Sequence, residues 1–353
     1  MNLEELARYL PGLERELRNS YSRERKSAPA TVGPYLDVNQ EFTLRGGKRF
    51  RATLVLAGYY LATRRPPRPA LPAAAALEHF QSWMLIHDDI IDHSEERRGG
   101  PTVHRALAEA HRRDRREGSS EEYGTGIAIT LGDLEEPFTV GAILSSKVAA
   151  AARLGALAEY VRMTRLTAYG QLLDIRNGTL DPGSVTESDV LHVHRLKSAM
   201  YTVACPMRIG AILGGMGRAG LGDLESIGTD LGIAFQLRDD VLGSGFDAGA
   251  SGKTANDLSE GKRTLLVVRA WAGASEADRA RLARVLGNAE ATPEDVERAR
   301  EVIRTTGSLA YSERRIAELT ARALARLDRS RTLRGAARPL VREIADRLVR
   351  RKM

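Results

Sequence analysis

One cysteine, Cys205, stands in the 353 residues, which excludes an internal disulfide and fits a reducing, cytoplasmic setting. Aromatic residues are only 5% of the chain, too few for a base-stacking surface, and no nucleic-acid-binding motif is visible. The net charge of +7 suggests an affinity for anions, which nucleic acid, an anionic membrane and phosphorylated small molecules would all satisfy. Every long apolar stretch is interrupted by Arg, Lys, Asp or Glu, so no membrane span is expected. The first residues, MNLEELARYLPGLEREL, have no basic segment leading into an apolar core, so no signal peptide is expected either. Strand-type alternation is missing almost everywhere, and so is any Ser-His-Asp constellation that would supply a nucleophile.

What remains is helical periodicity. Leu and Ala recur at three-to-four spacing over 3–25 and 36–45, with Pro11, Pro29 and Pro34 as breaks. An alanine-rich helix begins near Ala73. Further helices are expected around 125–157, 159–178, 186–204, 205–217, 220–242, 262–272, 275–286, 293–305, 308–327 and 336–350. Turn clusters such as Asp181-Pro182-Gly183-Ser184 separate them, and no repeat or linker divides the chain. The expected fold is all-α: one large helical bundle, a single domain over residues 1–353.

The stretch Phe80 to His104, FQSWMLIHDDIIDHSEERRGGPTVH, changes from apolar to acidic to basic. On a helix, Asp88 and Asp92 share one face about a turn apart. Like charges at that spacing repel by a few tenths of a kcal/mol, but they make an oxygen-ligand pair for Mg²⁺ that substrate phosphates would complete. A solvated acidic helix end is the structural alternative. Arg97 and Arg98 follow, placed to meet phosphates. Upstream, GGKRFR (Gly46 to Arg51) puts Lys48, Arg49 and Arg51 at a helix start, a plausible diphosphate seat. Near 235 the acidic theme returns in FQLRDDVLGSGFDAGASGKTANDLSEGKRTLL, where Asp239 and Asp240 precede Lys253, Asp257 and Lys262. Two aspartate-bearing helices with trailing cations suit a diphosphate that leaves, by Lewis-acid catalysis.

These motifs, in this order, resemble the trans-polyprenyl diphosphate synthase family over nearly the whole chain. GGKRFR is similar to its GGKRxRP, with Ala52 for the proline. HDDIIDHSEERRGGPTVH is similar to its DDxxD followed by RRGxPTxH. Gly170-Gln171-Leu172-Leu173-Asp174 resembles its GQxxD helix, and FQLRDD with GKTANDLSEGKRTLL its second aspartate-rich region.

The resemblance implies a bundle around a deep central cavity, a homodimer, and three Mg²⁺ ions. It implies Asp88, Asp92 and Asp239 as metal ligands, with Asp89 and Asp240 beside them. Arg97, Lys197, Ser198, Gln236, Lys253 and Lys262 would hold an allylic diphosphate, with Lys197 and Arg97 counted as catalytic. Lys48, Arg51, Gln81 and Arg98 would hold isopentenyl diphosphate. Three positions depart from the family pattern: Gly243 for the last aspartate of a second DDxxD, Ser198 for threonine, and Gln81 for histidine.

The implied reaction is short-chain prenyl transfer: ionisation of the allylic diphosphate, condensation with isopentenyl diphosphate, and loss of a proton. Chain length should depend on what lies below Asp88. Met84 sits about 6 Å down the helix, Phe80 about 12 Å and Leu77 about 16 Å. Leu77 reads as core. Phe80, Trp83 and Met84 are the expected floor, with Trp83 and Met84 stopping growth at C15, or next at C20. A class I terpene cyclase, or a non-catalytic subunit of a prenyl synthase, is the alternative. The cations Lys48, Arg51 and Arg98 speak against the first, and the survival of both aspartate clusters against the second.

Overall fold

The structure is a computed structural model that describes residues 1–246, 256–335 and 337–350. Apart from turns and one short β-hairpin the described residues are helical, and the chain divides into two compact units. The first comprises 1–158 and 206–216, the second 159–205 and 217–353.

The first unit begins with α1 (Leu3–Ala7), α2 (Leu10–Ser27), α3 (Gly33–Leu44), α4 (Phe50–Thr63) and α5 (Leu71–Ile91). The hairpin β1 (Glu96–Arg97) and β2 (Gly100–Pro101) follows, then α6 (Val103–Arg113) and α7 (Ser120–Leu144). The expected first helix is two: the backbone breaks after Ala7, and Pro11 sits in the first turn of α2. There the missing N–H costs nothing, because the first turn has no intrahelical acceptor. Ten consecutive residues of α4, Ala52–Leu61, are buried. Gly58 and Gly210 have no β-carbon because the backbone carbonyls of Met207 and Val55 lie where one would stand, at 2.0 and 1.8 Å. Under α5, the fully buried Glu135 of α7 lies 2.6 Å from His79 Nδ1 and accepts the Tyr21 hydroxyl, while His79 Nε2 meets Ser20 Oγ at 2.8 Å. A buried carboxylate is tolerable only when paired in this way, and the pairing ties α2 and α7 to α5.

The expected helix boundary near 158 falls instead at Ser145–Ala149. Ser146 is buried there, and the Lys147 N–H donates to the Pro69 carbonyl at 3.3 Å, a contact with the short 3-10 helix Arg68–Ala70 far away in sequence. α8 (Ala150–Gly178) then continues through position 158 without interruption.

The second unit contains the remainder of α8, α9 (Glu187–Val193) and a π-helical stretch, His194–Ala204. After α10 (Cys205–Leu213) come α11 (Arg218–Gly243), α12 (Asn256–Ser259), α13 (Leu265–Gly273), α14 (Glu276–Val285), α15 (Pro293–Thr305), α16 (Ser308–Arg329) and α17 (Ala337–Val349). α11 is the axial helix of this unit. Gly228 and Gly232 let it approach the π-helical stretch, since β-carbons there would stand 2.7 and 2.5 Å from the Cα atoms of Ala204 and Ala199. Four N-caps (Thr186, Thr264, Ser275 and Thr292) each accept a backbone N–H in the first turn that follows.

Candidate active site

The first aspartate region closes α5. Pro72 stands in the first turn of this helix, Leu77, Phe80 and Ile86 are buried along it, and Asp92 caps it, its N–H donating to the Asp88 carbonyl at 2.8 Å. Asp88 is half-buried and Asp92 exposed, and both stand at the end of the helix. Asp89 is buried, and its Oδ1 accepts from Arg97 Nε at 2.8 Å and from Arg97 Nη2. Burial pushes the Asp89 carboxyl up; the Arg97 guanidinium opposes that shift, and the neighbouring Asp88 and Asp92 add to it. Arg97 is thus anchored by an aspartate and remains one-third exposed.

Beyond Asp92 the chain turns through His93 at φ 51° and enters the hairpin, whose tip is Arg98 at φ 55° and Gly99 at φ 75°. Two left-handed residues in succession are the signature of a tight two-residue hairpin turn. The tip brings Arg98 to the GGKRFR segment. Gly46 and Gly47 have φ of 55° and 102°, and a β-carbon on Gly47 would stand 3.2 Å from the Arg98 Cζ. Arg98 Nη1 donates to the Arg45 carbonyl at 3.2 Å. In the first turn of α4, Arg51 Nη1 donates to Gln81 Oε1 of α5 at 3.1 Å. Lys48 is exposed beside Gly47. The residues expected at isopentenyl diphosphate therefore come from three chain segments and lie in one unit.

Arg49 does not join them. It is buried, bound to Glu78 at 2.8 Å and to the carbonyls of Thr43 and Leu44 at 2.9 and 3.1 Å. Its place in the expected phosphate seat is corrected to a structural one. Its backbone is left-handed at the start of α4, at φ 47°, which the sequence pattern could not reveal.

In the second unit Lys197 lies within the π-helical stretch, and its Nζ is 2.6 Å from Asp174 Oδ2. Such wide turns are rare and recur at functional sites. Gly170, one turn before Asp174, touches the backbone of Lys197: a β-carbon there would be 2.3 Å from its nitrogen. The GQxxD motif thus supplies both a close approach and the partner of the lysine. Ser198 is buried next to it. Asp239 and Asp240 stand near the end of α11; Asp240 is buried, accepts from Gln236 Nε2 at 2.9 Å, and lies 3.2 Å from His194 Nε2. Neither Asp174 nor His194 was singled out as a site residue from the sequence. GQxxD was a usable signal for Asp174, whereas nothing in the pattern pointed to His194.

After α11, Lys262 Nζ is 3.0 Å from Asp257 Oδ1 and 2.5 Å from Glu260 Oε2. The Asp257 carboxyl is pushed up to about 6 by burial; Lys262 opposes that rise and Asp240 adds to it. Lys253 lies outside the described residues.

Among the described residues no three His, Cys, Asp or Glu side chains gather closely enough to hold a metal alone. The donors nevertheless fit Mg²⁺, which binds through one or two carboxylates, keeps waters and takes the rest of its oxygens from phosphate. A cleft of about 960 Å³ opens at the far end of α5, lined by Arg8, Arg15, Tyr60, Arg68 and Pro72 among others; it contains none of the expected site residues. Along α5, Leu77 and Phe80 have no exposed surface, while Trp83 and Met84 are half-buried. The Phe80 and Trp83 rings meet edge to face at 5.8 Å.

A family model described as polyprenyl synthetase matches residues 34–303, which include every site residue named above. The chain belongs to the polyprenyl synthetase family. It is 31% identical to geranylfarnesyl diphosphate synthase of Aeropyrum pernix, over 87% of this chain and 91% of that protein. It is 32% identical to the short chain isoprenyl diphosphate synthase of Methanothermobacter thermautotrophicus, over 87% of this chain and 86% of that protein. Among solved structures, the geranylgeranyl pyrophosphate synthase from Corynebacterium glutamicum, complexed with isoprenyl diphosphate and magnesium, has a TM-score of 0.91. The two share 32% identity, and the match covers all of both chains. The all-α bundle of this polyprenyl synthetase family member is therefore that of isoprenoid synthases, as expected from the helical periodicity and the motifs.

Proposed function

We propose that this protein is a short-chain trans-prenyltransferase that joins isopentenyl diphosphate to an allylic diphosphate. The observation that carries this reading is the cationic seat of the first unit, where Arg51 is bonded to Gln81 and Arg98 lies over Gly47 beside Lys48. Its residues are other than the aspartates that close α5. A cyclase ionises one diphosphate and has no use for a second seat.

Asp88, Asp92 and Asp239 would ligate Mg²⁺, which when bound supplies Lewis-acid stabilisation of the departing diphosphate. Lys197, Lys262 and Arg97 add fixed positive charge where negative charge develops as the allylic C–O bond breaks. The carboxylates that hold these cations keep them aimed before substrate arrives. Lys48, Arg51, Gln81 and Arg98 hold isopentenyl diphosphate so that its terminal alkene carbon reaches the allylic cation, forming the new C–C bond. The proton then lost passes to the released diphosphate. Apolar side chains along α5 keep water from capturing the cation.

Trp83 and Met84 support a floor that limits growth to C15 or C20. The relatives named geranylgeranyl diphosphate synthase weight the reading toward C20. A homodimer is proposed as well, supported by the exposed Val161, Tyr169, Leu172 and Ile175 of α8. Purified protein mixed with Mg²⁺, isopentenyl diphosphate and each allylic diphosphate in turn should yield one dominant chain length. A cyclic hydrocarbon formed without isopentenyl diphosphate, or turnover that survives Asp88→Ala, would defeat the proposal.

A further inference from the structure

We infer that Arg45, which belongs to none of the expected binding sets, is the positioning residue that sets Arg98 in the isopentenyl diphosphate seat. The inference rests on the proposed function of that seat. Arg45 lies at the end of α3, immediately before Gly46, and its side chain is mostly buried. Its guanidinium makes contacts in two directions. Nε donates to Glu41 Oε1 at 2.8 Å and Nη2 to Glu41 Oε2, which fixes the plane of the group. Nη1 then donates to the carbonyls of Arg97 at 3.1 Å and Pro101 at 2.7 Å, one on each strand of the hairpin. In return, the Arg45 carbonyl accepts from Arg98 Nη1 at 3.2 Å.

The hairpin needs such a clamp. Two-residue strands have too few hydrogen bonds to hold their own shape. The tip also keeps Arg98 at φ 55°, a left-handed conformation that is uncommon in non-glycine residues. Gly100 completes the fit: a β-carbon there would stand 2.6 Å from Arg45 Nη1, although the backbone of Gly100 is not left-handed. The absent side chain is therefore explained by the arginine and not by the turn. Lysine could not replace Arg45, because one ammonium cannot span both the Glu41 carboxylate and two strand carbonyls in this plane.

The test uses the whole protein, with equilibrium binding of isopentenyl diphosphate measured by calorimetry beside steady-state kinetics. Arg45→Ala and Arg45→Lys should each weaken isopentenyl diphosphate by about tenfold in Kd and in KM, the loss of one charge-assisted hydrogen bond, and leave KM for the allylic diphosphate within about twofold. Gly100→Ala keeps every charge and should produce the same selective loss by displacing the guanidinium. In the double variant the alanine no longer meets an arginine, so the loss should not exceed that of Arg45→Ala alone. Unchanged isopentenyl diphosphate binding in Arg45→Ala overturns the inference. So do losses that multiply in the double variant, or equal losses on both substrates with a fallen thermal midpoint. Wild-type protein that binds isopentenyl diphosphate yet forms no longer product defeats the proposed function, while the binding comparison still decides Arg45.

Discussion

The carboxylate of Asp257 occupies the space where residue 243 would carry a side chain. Its Oδ2 lies 2.0 Å from the position of a β-carbon on Gly243, the last residue of α11, and its Oδ1 is 3.0 Å from Lys262 Nζ. The glycine that departs from the family pattern is thus matched by an aspartate reaching in from a later segment of the chain.

This juxtaposition predicts a coupling. Replacing a helical glycine by alanine ordinarily stabilises by up to about 1 kcal/mol. In wild type Gly243→Ala should fail to do so, because it must push Asp257 away from Lys262; in an Asp257→Ala background it should stabilise. A difference of about 1 kcal/mol between the two backgrounds in denaturant unfolding is expected. Equal stabilisation in both would show that the two residues do not compete for space.

Asp257 also predicts a pH dependence. A carboxyl raised from 3.8 to about 6 binds its proton more tightly in the folded protein than in the unfolded chain. Its ionisation therefore costs stability: the cost is absent below about pH 3.8, grows as the pH rises toward 6, and is complete above that. Relative to wild type, Asp257→Asn should gain stability across this window, by at most about 3 kcal/mol at neutral pH. Urea titrations of both proteins at several pH values give the difference directly. A difference that is flat with pH, or that shrinks as pH rises, contradicts the prediction.

Arg49 and Glu78 predict a stability effect with no signature in substrate affinity. Both are buried, and removing one leaves the other charged in a dry setting. Glu78→Gln or Arg49→Met should cost roughly 3–5 kcal/mol. Joint replacement by apolar residues of similar volume should cost much less. Were Arg49→Met to remain stable and lose affinity for isopentenyl diphosphate, the structural assignment of this arginine would be wrong.

Trp83 and Met84 predict product length. The Trp83→Ala, Met84→Ala double variant should make longer prenyl diphosphates than wild type from the same substrates, read by chromatography of the dephosphorylated alcohols. Phe80→Ala should act chiefly on stability, by about 3–5 kcal/mol, since Phe80 has no exposed surface. An unchanged product spectrum in the double variant removes the floor.

Much of the local chemistry was legible because its signals are local. An i, i+4 pair of aspartates on an apolar helix must share a face whatever surrounds it, and a Gly-Gly step before a basic helix start must turn. The errors arose where a distant partner decided. The break at Ser145–Ala149 was hidden inside a continuous alanine-rich pattern, and its Lys147 N–H is satisfied by Pro69, far away in sequence. Arg49 looks the same as Arg51 in GGKRFR, yet one answers a buried glutamate and the other a glutamine.

The sequence by itself determined the helical class, the motif order and the set of groups able to meet diphosphate, since periodicity and residue type are properties of short segments. Only the tertiary structure decided that Arg49 answers Glu78 while Arg51 meets Gln81, that Arg45 bonds both strands of the Arg98 hairpin, and that Asp257 fills the space at Gly243. Those outcomes depend on through-space distances of a few ångströms between segments remote in the chain, and such distances come into being only when the helices pack.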